Sequence, residues 1–399
     1  MKHARRLDNA PPYLFVEIER KIKEAQEKGI DVINLGIGDP DMPTPDFVVE
    51  KMIEAVRNPK YHQYPEYDGC IEFRQAVADY YGRRFDVRLD PETEVLALLG
   101  SKEGIAHIFS ALVNDGDFTL VPDPQYPVYK LATSITGGIA YPMPLTADNN
   151  YLPDLSIIPM EVLKRAKILF VNYPNNPTGT VAGIEFYTRV IELGRKYEIL
   201  ICNDNAYSEF TYDNITAPSL LQVDGSMETA IEFHTLSKSY NMTGWRIGYV
   251  VGNKDAIAKL KKMKHNIDSG VFTAVQIAAV EALEKGDGFI RQMVDVYDRR
   301  RIIAFDFLDK MGWKYERTKG AFYVWIRIPD GYKSDELADL LLDKCGVVVA
   351  PGSGYGDYGE GYIRISLTIP DERLMEAFER IFKLKLINNR SQSIIELES

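Results

Sequence analysis

The most constraining feature of this 399-residue chain is a regular alternation of short apolar runs with longer amphipathic segments. The apolar runs cover residues 94–99, 118–121, 167–172, 199–203, 230–234 and 247–252. Apolar runs of this length are typical of strands that are buried on both faces, and the longer segments have helical periodicity. Because strands that alternate with helices form parallel sheets, the pattern predicts an α/β fold with a mainly parallel sheet sandwiched by helices.

The amphipathic segments and the C-terminal third predict the remaining elements. Helices are expected at 102–113, 182–197, 254–285, 291–311 and 371–384. Two further strands are expected at 322–328 and 362–367. The region beyond residue 290 is therefore a separate, shorter mixture of strands and helices.

This change of pattern predicts two domains of ordinary globular size. We expect a large domain over 46–290 and a smaller α/β domain over 291–384, with the N-terminal segment 1–45 joined to the smaller one. The polar residues 385–399 carry no periodic pattern, so we expect a disordered tail there.

Charge and composition exclude several classes of protein. The chain has 58 acidic and 47 basic residues, a net charge of −11, which disfavours a general nucleic-acid or membrane-surface binder. No apolar stretch approaches membrane-spanning length, and the polar N-terminus does not resemble a signal peptide. The three cysteines lack the spacing of a disulfide framework or a thiolate metal site. We therefore expect an unprocessed, soluble protein of the reducing cytoplasm.

A lysine on a loop of small residues is the strongest chemical signal. The run from Ser237 to Gly248 reads Ser-Lys-Ser-Tyr-Asn-Met-Thr-Gly-Trp-Arg-Ile-Gly, with Lys238 eight residues before Arg246. A lysine that forms a Schiff base must be partly neutral, and both desolvation and a nearby cation lower the pKa of an amine. A lone lysine is usually a solvated surface residue, so the pattern by itself leaves both interpretations open.

Two polar clusters follow predicted strands. Asp204 comes directly after the run 199–203, and Tyr207 lies three residues further on. A carboxylate there can lie beneath a bound ring and keep a pyridine nitrogen protonated, although a turn-forming aspartate is the plainer alternative. From Asn172, directly after the strand residues 168–171, the chain reads Asn-Tyr-Pro-Asn-Asn-Pro-Thr-Gly, in which Asn176 either belongs to an ordinary turn or faces a ligand.

An anion site is predicted where the run 94–99 meets the helix 102–113. Ser101 and Lys102 lie in the sequence Gly-Ser-Lys-Glu-Gly, where backbone N–H groups at a helix N-terminus bind phosphate and both side chains add donors. Similar turns precede many ordinary helices, but Thr235 and Arg246 make this a converging set of phosphate ligands. Neither a dinucleotide nor a P-loop glycine spacing is present, which disfavours nucleotide enzymes.

Three further observations concern ligands. Arg364 lies in the predicted strand 362–367, where its guanidinium either faces solvent or holds a carboxylate through two nitrogens. Tyr126 is either part of the core or an aromatic surface for a bound ring. The five histidines show no helical pairing, so the sequence predicts no metal site.

These clusters occur in the order found in class I and II aminotransferases, which the chain resembles over about residues 10–384. The resemblance implies pyridoxal 5'-phosphate as cofactor and the two-domain arrangement called fold type I, with a seven-stranded sheet. It also implies a homodimer with shared active sites. Lys238 would be the Schiff-base lysine and proton carrier, Asp204 would bind the ring nitrogen, and Tyr207 and Asn176 would bind the ring hydroxyl. The same match implies these further cofactor contacts, the last from the neighbouring subunit: Tyr126, Ser101, Lys102, Thr235, Arg246 and Tyr64.

Several segments more narrowly resemble the LL-diaminopimelate aminotransferase family, namely 12–15, 35–41, 100–104, 240–246 and 266–270. The implied substrate contacts are Tyr13, Gly38, Lys102, Asn176, Asn266 and Arg364. Plant members place a glutamate that reaches the distal amine of the substrate where this chain has Tyr67.

The resemblance implies conversion of tetrahydrodipicolinate and glutamate to LL-diaminopimelate and 2-oxoglutarate, a step toward lysine. Its partners are then small amino acids and 2-oxo acids. An aspartate or alanine aminotransferase is the alternative, since such enzymes share much of the run 235–248. Elimination or decarboxylation with the same cofactor is a second alternative.

Overall fold

The predicted apolar runs become strands of one central sheet in the computed structural model, which describes residues 4–8 and 13–386. The strands are β1 (Ile33–Asn34), β2 (Val95–Leu98), β3 (Phe118–Asp123), β4 (Ile139–Pro144), β5 (Ala166–Val171), β6 (Leu200–Asp204), β7 (Ala230–Thr235), β8 (Gly248–Gly252), β9 (Tyr323–Arg327), β10 (Val347–Val348), β11 (Ala350–Pro351) and β12 (Tyr362–Ser366). The helices are α1 (Leu14–Glu27), α2 (Asp46–Val56), α3 (Ile71–Phe85), α4 (Ser101–Leu112), α5 (Val128–Ile135), α6 (Met160–Leu163), α7 (Ile184–Tyr197), α8 (Leu236–Ser239), α9 (Lys254–Lys264), α10 (Thr273–Lys285), α11 (Asp287–Met311), α12 (Ser334–Cys345) and α13 (Asp371–Lys383).

The central sheet has seven strands in the order β2-β8-β7-β6-β5-β3-β4. Neighbouring strands are parallel except for β8, which runs antiparallel to both β2 and β7. The prediction of a mainly parallel, seven-stranded sheet is confirmed. The edge strand β4 had no predicted counterpart, because its two prolines and its partly exposed side chains interrupt the apolar pattern.

Helices cover both faces of this sheet. On one face α4, α5 and α9 pack through side chains such as Ile105 and Ile257, which are fully buried. On the other face α3, α7 and α10 pack through side chains such as Phe73 and Val190. Burial of each side chain of this size contributes about 1.5–3 kcal/mol to the stability of the fold. The two helical layers therefore hold the strands of the sheet, and the residues at their ends, in place.

A second core lies around the three-stranded antiparallel sheet β11-β12-β9, which packs with α11, α12 and α13. Strand β1 pairs with β10, with Ile33 opposite Val347, so the N-terminal segment lies against the C-terminal part of the chain. The domain boundaries at residues 45, 290 and 384 stay predictions.

One predicted helix, 254–285, was wrong as a single element. It forms α9 and α10, which are separated by the loop 265–272. In this loop Asp268 Oδ1 accepts a hydrogen bond from Gly270 N at 2.8 Å, and Gly270 has a φ of 89°. This turn conformation ends a helix, and it favours glycine because a side chain there is strained.

The other predicted helices correspond to α4, α7, α11 and α13 to within a few residues, with α11 starting earlier than expected, at Asp287. The predicted tail, 385–399, falls almost entirely outside the described residues, which end at Leu386.

No helix in the described part of the chain is long and apolar enough to cross a membrane. All three cysteines are free, and Cys70 and Cys202 are buried. Burial raises the pKa of the Cys70 thiol to about 11 and that of Cys202 well above its ordinary value. Neither of these thiols is therefore a reactive thiolate near neutral pH.

Candidate active site

Strand ends bring the predicted site residues to one edge of the central sheet. Strands β3, β5, β6 and β7 are parallel, and β2 runs in the same direction because β8 is antiparallel to both β2 and β7. A cavity of about 310 Å³ lies at this edge. Its lining includes Tyr13, Gly38, Ser101, Lys102, Tyr126, Asn176, Asp204, Tyr207, Thr235, Lys238, Arg246 and Arg364. Two predicted residues, Tyr64 and Asn266, do not line it within the described chain.

Lys238 lies on α8, a single helical turn that follows β7 directly. The hydroxyl of Thr235 caps this turn by accepting a hydrogen bond from Ser237 N at 3.2 Å. The Lys238 side chain is partly buried, and its Nζ donates to Gly38 O at 2.8 Å. Burial lowers its pKa to about 8, with the cations of Arg364 and Arg246 acting in the same direction and Asp39 opposing them. A substantial fraction of this amine is therefore neutral near physiological pH.

Asp204 ends β6 and is buried. Its Oδ2 accepts a hydrogen bond from the Tyr129 hydroxyl at 2.8 Å, and its backbone oxygen accepts one from Asn172 Nδ2 at 2.6 Å. Its Oδ1 is buried without a hydrogen-bond partner. Burial raises the pKa of Asp204 to about 6, although the bonds from Tyr129 and from the Ala206 N–H oppose this effect. Such an acceptor is suited to a cationic N–H donor of a ligand.

Tyr207 and Asn176 are linked through Arg364 and an aromatic residue that the sequence did not indicate, Tyr323 of β9. The Tyr207 and Tyr323 hydroxyls are 2.9 Å apart. Arg364 Nη1 donates to Asn176 Oδ1 at 2.8 Å, and the Arg364 guanidinium lies over the Tyr323 ring, 4.0 Å from its centre. Tyr323 thus connects the two predicted ring-hydroxyl ligands with the predicted carboxylate ligand.

An anion-binding feature lies where α4 begins. Gly100 precedes Ser101 with a φ of 78°, and a Cβ at this position would lie 2.3 Å from Arg246 Nη2. Arg246 donates to Thr243 O at 2.8 Å and to Leu99 O at 3.2 Å, which holds it beside the helix N-terminus. Free backbone N–H groups, a hydroxyl and a guanidinium therefore meet at one point, as phosphate binding requires.

Arg364 is held on β12 with only 1% of its surface exposed. Its Nη2 donates to Gly36 O at 2.6 Å, and its Nε is buried without a hydrogen-bond partner. A buried guanidinium with a donor to spare is suited to a ligand carboxylate. On another part of the lining, Lys102 Nζ lies over the Tyr13 ring, 4.1 Å from its centre.

The residues that do not line the cavity lie on two neighbouring segments, 64–70 and 265–270, which we call the rim. Tyr64 is 87% exposed, and the Asn266 side chain donates to Lys262 O at 2.8 Å. Asp68 joins the two segments by accepting from His265 Nε2 at 2.7 Å and pairing with Lys261 at 3.0 Å.

A cluster of possible metal ligands lies between α4 and the loop 265–272. Single ligand atoms of Glu103, His107 and Asp268 lie within 4.8 Å of one another. The fully buried Lys264 Nζ contacts Asp268 Oδ1 at 2.7 Å and Glu103 Oε1 at 3.5 Å. The lysine already supplies the positive charge that these carboxylates require, so we interpret the cluster as an ion-pair network that joins α4 to α9.

Several lining or supporting residues were not assigned from the sequence, among them Tyr129, Asn172, Ser237 and Tyr323. Asn172 and Ser237 lie within the motifs, and their positions next to strand ends were a usable signal. Tyr129 and Tyr323 reach the site from α5 and β9 through tertiary packing, which no local pattern encodes.

Comparisons with known proteins agree with this geometry. Residues 30–381 match the family of class I and II aminotransferases, and the chain belongs to this family. Within it, the chain is similar over nearly its whole length to proteins named LL-diaminopimelate aminotransferase. The one from Moorella thermoacetica is 52% identical and that from Aquifex aeolicus 53% identical, each alignment covering 96% of this chain and 98% of the relative. The chain therefore belongs with this group of aminotransferases, as its motifs predicted.

A solved structure supports the assignment of the fold. Substrate-bound BacF from Bacillus subtilis has a TM-score of 0.94 and 36% identity, covering 98% of this chain and 99% of that one. The predicted α/β fold of the fold type I aminotransferases is confirmed.

Proposed function

We propose that this aminotransferase uses pyridoxal 5'-phosphate to convert tetrahydrodipicolinate and glutamate to LL-2,6-diaminopimelate and 2-oxoglutarate. The observation that carries the cofactor assignment is the unpartnered Asp204 oxygen in the same cavity as the partly neutral amine of Lys238. The choice of substrates rests on the 52–53% identity to proteins named LL-diaminopimelate aminotransferase. An acidic partner for a ring nitrogen and an amine for an aldehyde are the two groups that this cofactor requires from a protein.

The residues present fit the cofactor at its two ends. Asp204 Oδ1 would accept a hydrogen bond from the ring nitrogen, which would satisfy a buried oxygen that otherwise has no partner. The phosphate would bind at the N-terminus of α4, with Ser101, Thr235 and Arg246 as its side-chain ligands.

The ring would be held between these two ends. Tyr207 and Asn176 would bind the ring hydroxyl, and Tyr126 would stack against the ring face. Each of these side chains lines the cavity, and Tyr207 and Asn176 are buried.

When bound, pyridoxal phosphate supplies an aldehyde that joins the amino group and a ring that withdraws electrons from the substrate's α-carbon. Lys238 would hold the cofactor until the amino group of the substrate takes its place. Its Nζ would then be free to accept the proton of the substrate's α-carbon and to donate it again within the same site. A pKa of about 8 suits an amine that must both give and take a proton near neutral pH.

Arg364 would bind the α-carboxylate of the substrate and so orient the α-carbon towards Lys238. Its unpartnered Nε and its position against the Tyr323 ring support this role. Tyr13 and Lys102 would contact the substrate further from the reacting carbon, while Gly38 would lie beneath it and allow close approach. Partners of the enzyme would accordingly be small amino acids and 2-oxo acids.

We further propose a cytoplasmic homodimer in which the rim of one subunit completes the cavity of the other. The exposure of Tyr64, 87%, beside a clamped loop supports such an interface, because large exposed aromatic side chains are typical of contact surfaces. Asn266 would then face the partner's substrate. We also propose the domain boundaries that the sequence predicts, at residues 45, 290 and 384.

A comparison of amino donors tests the substrate. We expect kcat/KM for LL-diaminopimelate to exceed that for alanine or aspartate by on the order of 10⁴-fold. A site that binds the distal amino acid group of diaminopimelate has polar atoms that stay unpaired when a shorter substrate is bound. Initial rates with 2-oxoglutarate as acceptor measure this ratio. Equal or higher efficiency with alanine or aspartate would instead establish the alternative aminotransferase.

A further inference from the structure

Asp204 has two carboxylate oxygens in different situations, and a single side chain makes the difference. The Tyr129 hydroxyl donates to Oδ2 at 2.8 Å, whereas Oδ1 is buried and has no partner. The backbone of Asp204 is also restrained, through its bond from Asn172. The remaining freedom of the side chain is rotation of the carboxylate, and the bond from Tyr129 is the side-chain contact that opposes it, beside the backbone N–H of Ala206.

Packing determines the direction of the Tyr129 hydroxyl. The residue is fully buried on α5, and its ring stacks on Phe170 of β5 with centres 4.6 Å apart and planes 19° from parallel. Phe170 stacks in turn on Phe109 of α4, at 5.2 Å and 4°. An aromatic stack between two helices and a strand therefore holds the phenol, and such contacts add about 0.5–1.5 kcal/mol per pair beyond burial.

We propose that Tyr129 is a positioning residue for the reaction, which keeps Asp204 ionised and turned so that one oxygen remains available to the cofactor's ring nitrogen. The inference rests on the proposed use of pyridoxal phosphate. Tyr129 touches neither cofactor nor substrate in this account and acts only through Asp204.

The electrostatic surroundings make this role necessary. Tyrosines 126, 129 and 207 face Asp204, and burial raises the pKa of all three, so each is neutral. The charged groups that line the cavity are Asp39, Lys102, Lys238, Arg246 and Arg364. None of these cations is within ion-pair distance of Asp204 in the described residues. Hydrogen bonds from Tyr129 and from the Ala206 N–H are what stabilise the carboxylate against burial.

The variant Tyr129→Phe removes one oxygen atom and keeps the aromatic stack. The measurement is the equilibrium affinity of cofactor-free protein for pyridoxal phosphate between pH 5 and 8. A protonated ring nitrogen cannot pair with a protonated carboxyl group, so one proton must leave on binding and affinity falls as the pH drops below the pKa of Asp204. Protonation of Lys238 also lowers affinity in this range, but it does so in parent and variant alike, so the difference between their profiles reports on Asp204. Loss of a hydrogen bond to a charged group should raise that pKa by about one unit, which moves the onset of the fall upward by the same amount.

A matched control separates this effect from general loosening of the core. Tyr212 is also buried, and its hydroxyl donates to Ala321 O at 2.7 Å, away from the cavity. Tyr212→Phe should keep the pH profile of the parent, even if its thermal stability falls. An unchanged onset in Tyr129→Phe, or an equal shift in both variants, would overturn the proposal.

Two further measurements complete the test. At pH 7, Tyr129→Phe should lower kcat about tenfold and change the KM for the amino donor less than about twofold, because Arg364 and the substrate contacts are untouched. If Tyr129→Phe does not fold, Phe170→Leu is the second variant, because it loosens the packing of the Tyr129 ring without removing its hydroxyl. It should raise the pH at which cofactor affinity begins to fall, by less than Tyr129→Phe would. An unchanged pH profile in Phe170→Leu would then contradict the proposal. If the parent protein binds no pyridoxal phosphate at Lys238, the proposed function fails instead.

Discussion

The floor of the cavity and its rim are built by different means. On the floor, Lys238, Asp204 and Arg364 are partly or fully buried, and each is bonded to another part of the same chain. On the rim, Tyr64 is 87% exposed and Tyr67 46% exposed. Floor residues lie in buried strands or directly after them, whereas Tyr64 and Tyr67 of the rim lie on a loop that the chain itself leaves exposed.

The difference in burial between floor and rim separates the groups that one chain can place by itself from those that need a second subunit. One chain is sufficient to place the groups that we expect to handle the proton, the ring and the α-carboxylate. The rim is clamped by Asp68, whose pKa is lowered by His265 and Lys261 although partial burial opposes them. The rim is therefore held in place by hydrogen bonds and ion pairs but remains exposed to solvent. Such a surface is suited to a contact with another chain, and we expect a second subunit to make that contact.

The largest effect should come from the floor. Lys238→Ala removes the amine that attaches the cofactor and carries the proton, and we expect loss of at least about 10⁴-fold in kcat. Borohydride reduction of the parent protein with its cofactor, followed by peptide mapping, should locate the label on Lys238. An exposed lysine such as Lys285, which pairs with Glu281, offers the control Lys285→Ala. Label on any other lysine would disprove the assignment.

A smaller effect compares two floor residues. Asp204→Ala should lower kcat about 10³-fold, since the ring nitrogen loses its charged partner. Tyr207→Phe should lower it about tenfold, because Asn176 can still bind the ring hydroxyl. Steady-state rates of both variants, with folding checked by circular dichroism, measure the ratio. Small and equal losses would mean that the ring lies elsewhere.

The pH dependence of cofactor attachment tests the burial of the floor. Only the neutral amine reacts, and the pKa of Lys238 is lowered to about 8. The neutral fraction therefore rises with pH and levels off above this value, so the attachment rate should rise about tenfold between pH 7 and 9 and little beyond. Stopped-flow absorbance of cofactor-free protein provides the measurement. A rate that keeps rising beyond pH 10 would show an ordinary, solvated lysine.

The rim is tested by mixing subunits. If Tyr64 completes the neighbouring phosphate site, a dimer of one Lys238→Ala and one Tyr64→Phe chain has one intact site. Equal amounts of the two variants should then recover about a quarter of the parent activity, since half of the dimers are mixed and each has one working site. Purified mixed dimers that show no more activity than either variant would remove Tyr64 from the shared site and leave the floor unaffected.

Local sequence was sufficient for most of the floor. Strands such as β5, β6 and β7 are marked by apolar runs, and their carboxyl ends must meet at one edge of a parallel sheet. Asn176, Asp204 and Thr235 follow or end these strands, so their proximity was predictable before any tertiary contact was known. The roles of these residues stay predictions.

Features that depend on chain packing were not predictable in this way. The missed break between α9 and α10 is of another kind, because the turn from Asp268 to Gly270 is local and its Asp-Ser-Gly sequence was a usable turn signal. Tyr323 comes from β9, more than one hundred residues beyond Tyr207, and its hydroxyl reaches the site only because the segment after β6 packs against the three-stranded sheet.

The sequence by itself therefore determined the order of the elements, the edge of the sheet where the site forms and the chemical types of the groups brought there. These depend on periodicity and on residue identity at strand ends, which are local properties of the chain. Only the tertiary structure decided which oxygen of Asp204 has no hydrogen-bond partner, which aromatic ring packs against the Arg364 guanidinium and which tyrosines are exposed to solvent. Such outcomes depend on side-chain directions and on burial between distant segments, and these are defined only once the layers have packed.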